Sequence, residues 1–366
     1  LAGNIMNKGG IAIRLINLAK IVTGRTPGGL AQTNILANAL FGAISGSGTA
    51  AASAMGSIIG PIEKDEGYDP NFSAAANIAT APTGLLIPPS NVMITFSLVS
   101  GGTSVAALFM AGYIPGALWA LACMLVVYIY AKKAGYRSQT KLTGKEKFNA
   151  FIQALPCLLL IIIVIGGIIA GVFTATEGSV VAVVYSLLLS IYGYKSMKWK
   201  DLPEIFRASA EMTGIIIFLI GVSSIMSWVM AFTNIPTMVS NGLLSISSNK
   251  YVILLMINII LLVVGTFMDM TPATLIFTPI FLPVCTALGM NTIHFGIMLI
   301  FNLCIGTITP PVGTTLFVGV KVGGVKIETV FKHLLPYFFA IIVVLMLVTY
   351  IPQLSLWLPG LMGYVS

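Results

Sequence analysis

Charge is what this sequence lacks most. Of its 366 residues only 8% are Asp, Glu, Lys or Arg, where a soluble globular domain carries about a quarter. Too few charges remain to cover a water-facing surface, so a soluble enzyme or binding module is excluded. Histidine is down to two residues and the acids to eleven. No HExxH, GxSxG or GxxxxGK[ST] pattern occurs, which removes the zinc-protease, serine-hydrolase and P-loop readings. The four cysteines, Cys123, Cys157, Cys285 and Cys304, each lie in an apolar run and never in CxxC spacing. They read as small apolar fillers, not as disulfide partners or metal ligands. The chain opens on Leu1 in "LAGNIMNKGG", with neither an initiator Met nor a signal peptide. The expectation is that its natural start, with further membrane sequence, lies upstream.

What is present is apolar: 57% of the residues are hydrophobic. The runs at 155–173 and 333–351 are long enough to cross ~30 Å of hydrocarbon. Runs this poor in charge make helices rather than barrel strands, so the chain reads as an all-α polytopic membrane protein. The net charge of +8 does not point to nucleic acid, because the basic residues sit in short connectors between apolar runs. Placing the connectors at 132–147 and 195–207 in the cytoplasm sets a consistent map. Full spans are expected at 106–131, 149–171, 174–194, 209–232 and 334–352, and broken spans at 71–100 and 293–320. Every one of the 19 basic residues except Lys250 then faces the cytoplasm. The basic stretch "YKSMKWKDLPEIF" is expected to lie along the membrane surface as an amphipathic segment.

Two segments remain, 29–62 and 251–287, and on this map each starts and ends on one side. Each has two arms of 12–16 apolar residues meeting at a polar tip, Ser45–Gly48 or Asp269-Met270-Thr271-Pro272. Both are expected to be re-entrant helical hairpins, although two short full spans would serve the map equally well. A hidden duplication supports the pairing. Shifted by 222 residues, Pro61 falls on Pro283, Gly67 on Gly289, Gly84 on Gly306, Pro88-Pro89 on Pro310-Pro311, and Gly101-Gly102 on Gly323-Gly324. Glycine and proline set backbone shape, so their coincidence implies two copies of one trace. Five crossings separate the copies and turn the second upside down, the inverted-repeat plan of secondary transporters. The expected organisation is an N-terminal cytoplasmic-side segment 1–28, a first repeat 29–131, scaffold spans with amphipathic connectors over 132–250, a second repeat 251–352, and a periplasmic tail 353–366.

The breaks fall at "PTGLLIPPSN" and "IGTITPPVGTT". Paired prolines remove two N–H donors and push the preceding residue out of helix. Carbonyls freed there need partners. A hard cation such as Na⁺ supplies one, and the restarting helix offers its positive end to an anion. Asp269 is the sharpest single residue, the one acid deep between two apolar runs. Its bland alternative is an N-cap for the arm that follows. For Ser45–Gly48 the alternative to ligand contact is close packing of small residues. Glu177 and Glu211 read as caps or packing groups, and His294 and His333 as interfacial. With one deep acid, no aspartic pair exists for an intramembrane enzyme.

The stretches "LAGNIMNKGG", "GAISGSGTAAASAMG", "GYDPNFSAAANIATAPTGLLIPPS", "GVFTATEG", "GTFMDMTPATLIFTPIFLPV" and "IGTITPPVGTTLFVG" run along nearly the whole chain. In them the sequence resembles the large membrane (M) subunit of tripartite ATP-independent periplasmic (TRAP) transporters. "GVFTATEG" departs slightly from the commoner "FTPTEA". The resemblance implies an elevator-type fold in the bacterial inner membrane, with Na⁺ as coupling ion. It also implies a small membrane (Q) subunit, a periplasmic substrate-binding (P) protein, surrounding lipid, and an organic acid substrate such as a sialic acid or a C4-dicarboxylate. Carried over by motif, one Na⁺ site falls on Ser45, Gly46, Gly84, Pro88 and Ser90. A second falls on Gly265, Asp269, Thr271, Gly306, Thr309 and Thr314. Substrate contact falls on Ser45, Ser90 and Asp269. With no deep Arg to clamp a carboxylate, a hydroxyl-rich sugar acid fits somewhat better than a small dicarboxylate. The rival reading is a stand-alone Na⁺–dicarboxylate symporter that needs no binding protein.

Overall fold

The computed structural model describes residues 1–136, 143–247 and 249–364, and every regular element among them is helical. The chain begins with α1 (Ala2–Lys8) and α2 (Ile11–Thr23), followed by a hairpin of α3 (Gly29–Ser45) and α4 (Gly48–Asp65). A broken stretch follows: α5 (Pro70–Thr80), the single turn α6 (Thr83–Leu86) and α7 (Asn91–Val99). It bends by 48° at residues 87–90. Then come α8 (Val105–Ala134), α9 (Gly144–Ile169), α10 (Ala175–Leu188), α11 (Leu202–Phe232) and α12 (Ile235–Ile246). A second hairpin pairs α13 (Lys250–Gly265) with α14 (Met270–Ala287), and α15 (Thr292–Gly306) and α16 (Thr314–Gly323) flank a second break. The chain closes with α17 (Ile327–Tyr350) and α18 (Gln353–Leu361).

The duplication reappears in the element starts. Gly48, Pro70 and Val105 open α4, α5 and α8, and Met270, Thr292 and Ile327 open α14, α15 and α17, a constant shift of 222. The shape-setting residues agree: Gly67 and Gly289 have φ of 81° and 73°, and the Pro88–Pro89 and Pro310–Pro311 bonds are both cis. Among the described residues six helices are long and apolar enough to cross a membrane, or seven if the bent pair counts as one. Five of the six, α8, α9, α10 with its π-helical extension, α11 and α17, fall on the expected full spans.

The differences have physical reasons. α13, at 16 residues, meets the expected 12–16, whereas α3, α4 and α14 are longer at 17, 18 and 18. They run on into charged ends such as Glu63-Lys64-Asp65 and continue through Pro61, Pro279 and Pro283. α14 thereby reaches spanning length by itself. The second tip lies earlier than expected, at residues 266–269, with Met270, Thr271 and Pro272 already in the first turn of α14. The 1–28 segment is helical and packed, with Ile11, Leu15, Ile16 and Ala19 fully buried. Residues 353–366 are not a plain tail, since α18 occupies their first part. α12 was not expected at all. The surface segment "YKSMKWKDLPEIF" is not a separate helix. A single 3₁₀ turn at Trp199–Asp201 leads into α11, and Met197 and Ile205 are buried against Ile5 of α1. Of the 132–147 connector, residues 137–142 lie outside the described residues. The rest is the end of α8 and the start of α9, where Thr143 and Glu146 form a capping box. His294, in the first turn of α15, is buried, with Nε2 2.8 Å from the Val348 carbonyl.

The chain divides into two compact units. The first is Leu1–Pro89, Gly116–Ala210 and Thr315–Ile341, and the second is Ser90–Pro115, Glu211–Thr314 and Ile342–Ser366. Each unit therefore holds one hairpin, the helix leading into its own break, and the helix leaving the other break. α16 belongs to the first and α7 to the second. Buried amides pin each hairpin to its helix. In the first unit Asn38 Nδ2 donates to Asn34 Oδ1, Asn77 Oδ1 and Thr80 Oγ1 at 2.7, 3.0 and 3.1 Å. In the second, Asn302 Nδ2 donates to the Asn258 carbonyl and to Asn258 Oδ1, both at 2.9 Å.

Candidate ion and substrate site

In the first unit the tip is made by sequence-local chemistry. Ser45 ends α3, Gly46 takes the left-handed conformation at φ 64°, and the Ser47 hydroxyl caps α4 by accepting from Ala50 N–H at 3.3 Å. Beside the tip, α3 and α6 touch backbone to backbone. A Cβ on Gly42 would lie 2.5 Å from Gly84 Cα, and one on Gly84 would lie 2.1 Å from Gly42 Cα. Only glycine permits that approach at Gly84, so the sequence brings the last turn of α3, which leads into the Ser45–Gly46 tip, against the Gly84 turn just ahead of Pro88. Ser90, assigned to the same ion by motif, belongs to the second unit. It is fully buried in the N-cap position of α7, and its Oγ has no hydrogen-bond partner among the described residues.

The second unit repeats the arrangement. Gly265 and Gly306 cross as Gly42 and Gly84 do, and a Cβ on Gly306 would meet the Gly265 carbonyl oxygen at 2.4 Å. Val312 N–H donates to the Thr266 carbonyl at 3.1 Å, which ties the break to the tip. Thr314 Oγ1 donates to Asp269 Oδ1 at 3.2 Å. Asp269 holds the N-cap position of α14, yet its side chain makes no capping bond. The capping alternative for its carboxylate is thus not realised. Asp269 is also exposed, while Thr271 and Thr309 are half-buried. Thr309 gives its hydroxyl proton to the Ile305 carbonyl at 2.7 Å, which leaves its lone pairs facing elsewhere. Gly265, Asp269, Gly306, Thr309 and Thr314 all lie in this unit, around one crossing of tip and break.

Carboxylate, hydroxyl and main-chain carbonyl oxygens form a hard donor set that suits a small alkali cation. No group of three or more His, Cys, Asp or Glu that could hold a metal ion occurs among the described residues. Glu177 does what was expected, forming a capping box with Thr174 at the start of α10. Glu211 is exposed within α11. Sequence reasoning missed Glu63. It reads as part of a solvated charge cluster, yet it is fully buried. The signal was there in the spacing, because Glu63 continues the four-residue stripe of Ala51, Met55 and Ile59 on the buried face of α4.

Helical spans and a duplicated hairpin and break define a multi-pass membrane protein with the repeated plan of secondary transporters. The chain belongs to the tripartite ATP-independent periplasmic transporter family, DctM component, whose model matches residues 1–354. It is 55% identical to the uncharacterized protein YgiK of Salmonella typhimurium, over 99% of this chain and 83% of that one. It is 36% identical to the sialic acid TRAP transporter large permease protein SiaM of Vibrio cholerae, over 100% of this chain and 85% of that one. It is 35% identical to the C4-dicarboxylate TRAP transporter large permease protein DctM of Rhodobacter capsulatus, over 99% and 86%.

Proposed function

We propose that this chain is the large subunit of a Na⁺-coupled symporter that imports an organic acid, receiving it from a periplasmic binding protein and working beside a small membrane subunit. The observation that carries the reading is the Asp269–Thr314 pair, held where the Gly265–Gly306 crossing brings tip and break together. A cation there compensates the carboxylate and takes the carbonyls that the break frees from the helical ladder. In the first unit, Ser45, Gly46, Gly84 and Pro88 serve a second ion, with Ser90 the residue that follows the break. Substrate contact is assigned by the family resemblance, residue by residue, to Ser45, Ser90 and Asp269. Inverted orientation of the two repeats and elevator-type movement are the mechanism the family resemblance supports.

The substrate is a carboxylate recognised by hydroxyls and amides. Arg14 is engaged elsewhere, donating to the Gly10 carbonyl and stacking on Tyr194. A hydroxyl-rich sugar acid of the sialic acid class suits such a site better than a C4-dicarboxylate, and relatives are named for each. The test is uptake of labelled acids by the reconstituted transporter under a Na⁺ gradient, with and without the binding protein. Asp269→Ala should abolish uptake while the protein stays folded. Normal uptake by that variant refutes its role, and uptake without a binding protein favours the stand-alone symporter.

A further inference from the structure

The buried face of α4 ends on a carboxyl where its stripe calls for an apolar side chain. Glu63 is 0% exposed. Among the described residues neither of its oxygens has a hydrogen-bond partner, and no ion pair includes it. Two further polar atoms at the same place are also without partners, Ser73 Oγ of α5 and Asn34 Nδ2 of α3. Asn34, Gly60, Glu63, Ser73, Asn77 and Gly323 line one cavity of about 290 Å³, all within the first unit. Gly60 helps keep it roomy, since a Cβ there would meet nothing within 4 Å. At ~30 Å³ of liquid volume per water this space exceeds a single water several-fold.

An isolated carboxylate cannot stay charged in such surroundings at reasonable cost; it must be neutralised or paired. Glu63 lies past the apolar part of the hairpin, in the stretch the charge map assigns to the cytoplasmic side. Burial pushes its pKa up to about 8, with the Ser73 hydroxyl near enough to pull it down and Glu66 raising it further. Tyr68 and Tyr337 lie close enough to feel its charge, and Lys64 lines the cavity from an exposed position. None of these supplies a buried positive charge.

We propose that this cavity is a binding site for a partly hydrated monovalent cation, with Glu63 as its one charged ligand and Ser73 Oγ as a neutral one. One carboxylate balances one positive charge, whereas a divalent ion would leave a net charge buried. Hard oxygen donors suit Na⁺ or K⁺, and a water on the ion accepts the free Asn34 N–H. The site is distinct from those at the tips. Glu63 stands fifteen residues along α4 from Gly48, about 22 Å at ~1.5 Å per residue.

The test follows thermal unfolding of the complete purified transporter as NaCl or KCl replaces N-methylglucamine chloride at constant ionic strength. A background of Ser45→Ala with Asp269→Ala keeps the ion responses of both tips out of the readout. There the cation should still stabilise the protein. Adding Glu63→Gln should raise the half-saturating concentration by roughly tenfold or more, the least expected when a direct ligand is lost. Ser73→Ala should raise it less. Glu63→Gln needs no counter-charge, so in N-methylglucamine it should unfold no lower than its parent. An unchanged cation response in both variants overturns the proposal. So does a cation-insensitive protein whose Glu63-dependent stability simply falls as pH rises from about 4.5 to about 8. That is the sign for a raised carboxyl pKa, because the folded state then keeps a proton that the unfolded state has released. It would mean that a proton alone fills the site. Failure of Asp269→Ala to affect uptake would sink the proposed function and leave this test intact.

Discussion

Adding one methyl group on each side of the second tip separates a packing argument from a general intolerance of change. At Gly306 a Cβ would sit 2.4 Å from the Gly265 carbonyl oxygen, 2.5 Å from its carbon and 2.7 Å from its Cα. Ordinary contacts begin near 3.4 Å, so α13 and α15 must part by about 1 Å at the crossing, and no side-chain rotation relieves a clash with backbone. Overpacking costs ~1–3 kcal/mol, and Ala for Gly in a helix returns at most ~1 kcal/mol. Gly306→Ala should thus destabilise by about 1–2 kcal/mol. At Gly265 the nearest atom to an added Cβ is Gly306 Cα at 3.2 Å, followed by a Leu303 methyl at 3.6 Å. A shift of a few tenths of an ångström suffices, and the helix gain offsets it, so Gly265→Ala should be near neutral. Thermal unfolding of the two variants in detergent, with uptake measured in parallel, reads the difference. Equal stability of the two, or a less stable Gly265→Ala, would refute the crossing as described.

Asn38→Ala leaves the Asn34 and Asn77 side-chain oxygens without their shared donor and should cost ~1–3 kcal/mol; denaturant unfolding checks this, and a loss under ~0.5 kcal/mol contradicts the pin. Thr174→Ala removes the capping hydroxyl of α10 and should cost ~1 kcal/mol with Na⁺-driven uptake retained, because no proposed site lies near it. Thr314→Val removes the hydroxyl donor to Asp269 and should raise the Na⁺ concentration that half-saturates uptake; unchanged Na⁺ dependence would exclude Thr314 as a ligand.

The spans were legible because a long charge-poor run has one use. Their ends were less so. Helix does not stop where apolarity does, and α4 carries on through Glu63, Lys64 and Asp65. α12 and α18 were illegible because short stretches rich in Ser, Asn and Pro read as loops until a neighbour covers one face. The breaks could be read from Pro88-Pro89 and Pro310-Pro311, since proline removes donors wherever it stands. The two acids exchanged roles. Asp269 stands alone in an apolar sequence yet is exposed, whereas Glu63 stands among charges yet is buried. Linear context reports neighbours along the chain, while burial is decided by the helix that packs against the side chain. Only the four-residue stripe of α4 carried that information.

Each unit borrows the helix that follows the other's break: α16 completes the first, and α7 the second. Neither can therefore be finished from one uninterrupted half of the polypeptide. During synthesis the first unit waits for residues beyond Thr315, long after its own hairpin has left the ribosome. A truncated product ending before α16 would leave Ile78, which lies against Gly319, uncovered and prone to capture by quality control. Making the halves as separate genes would yield two stable pieces only if both were present together.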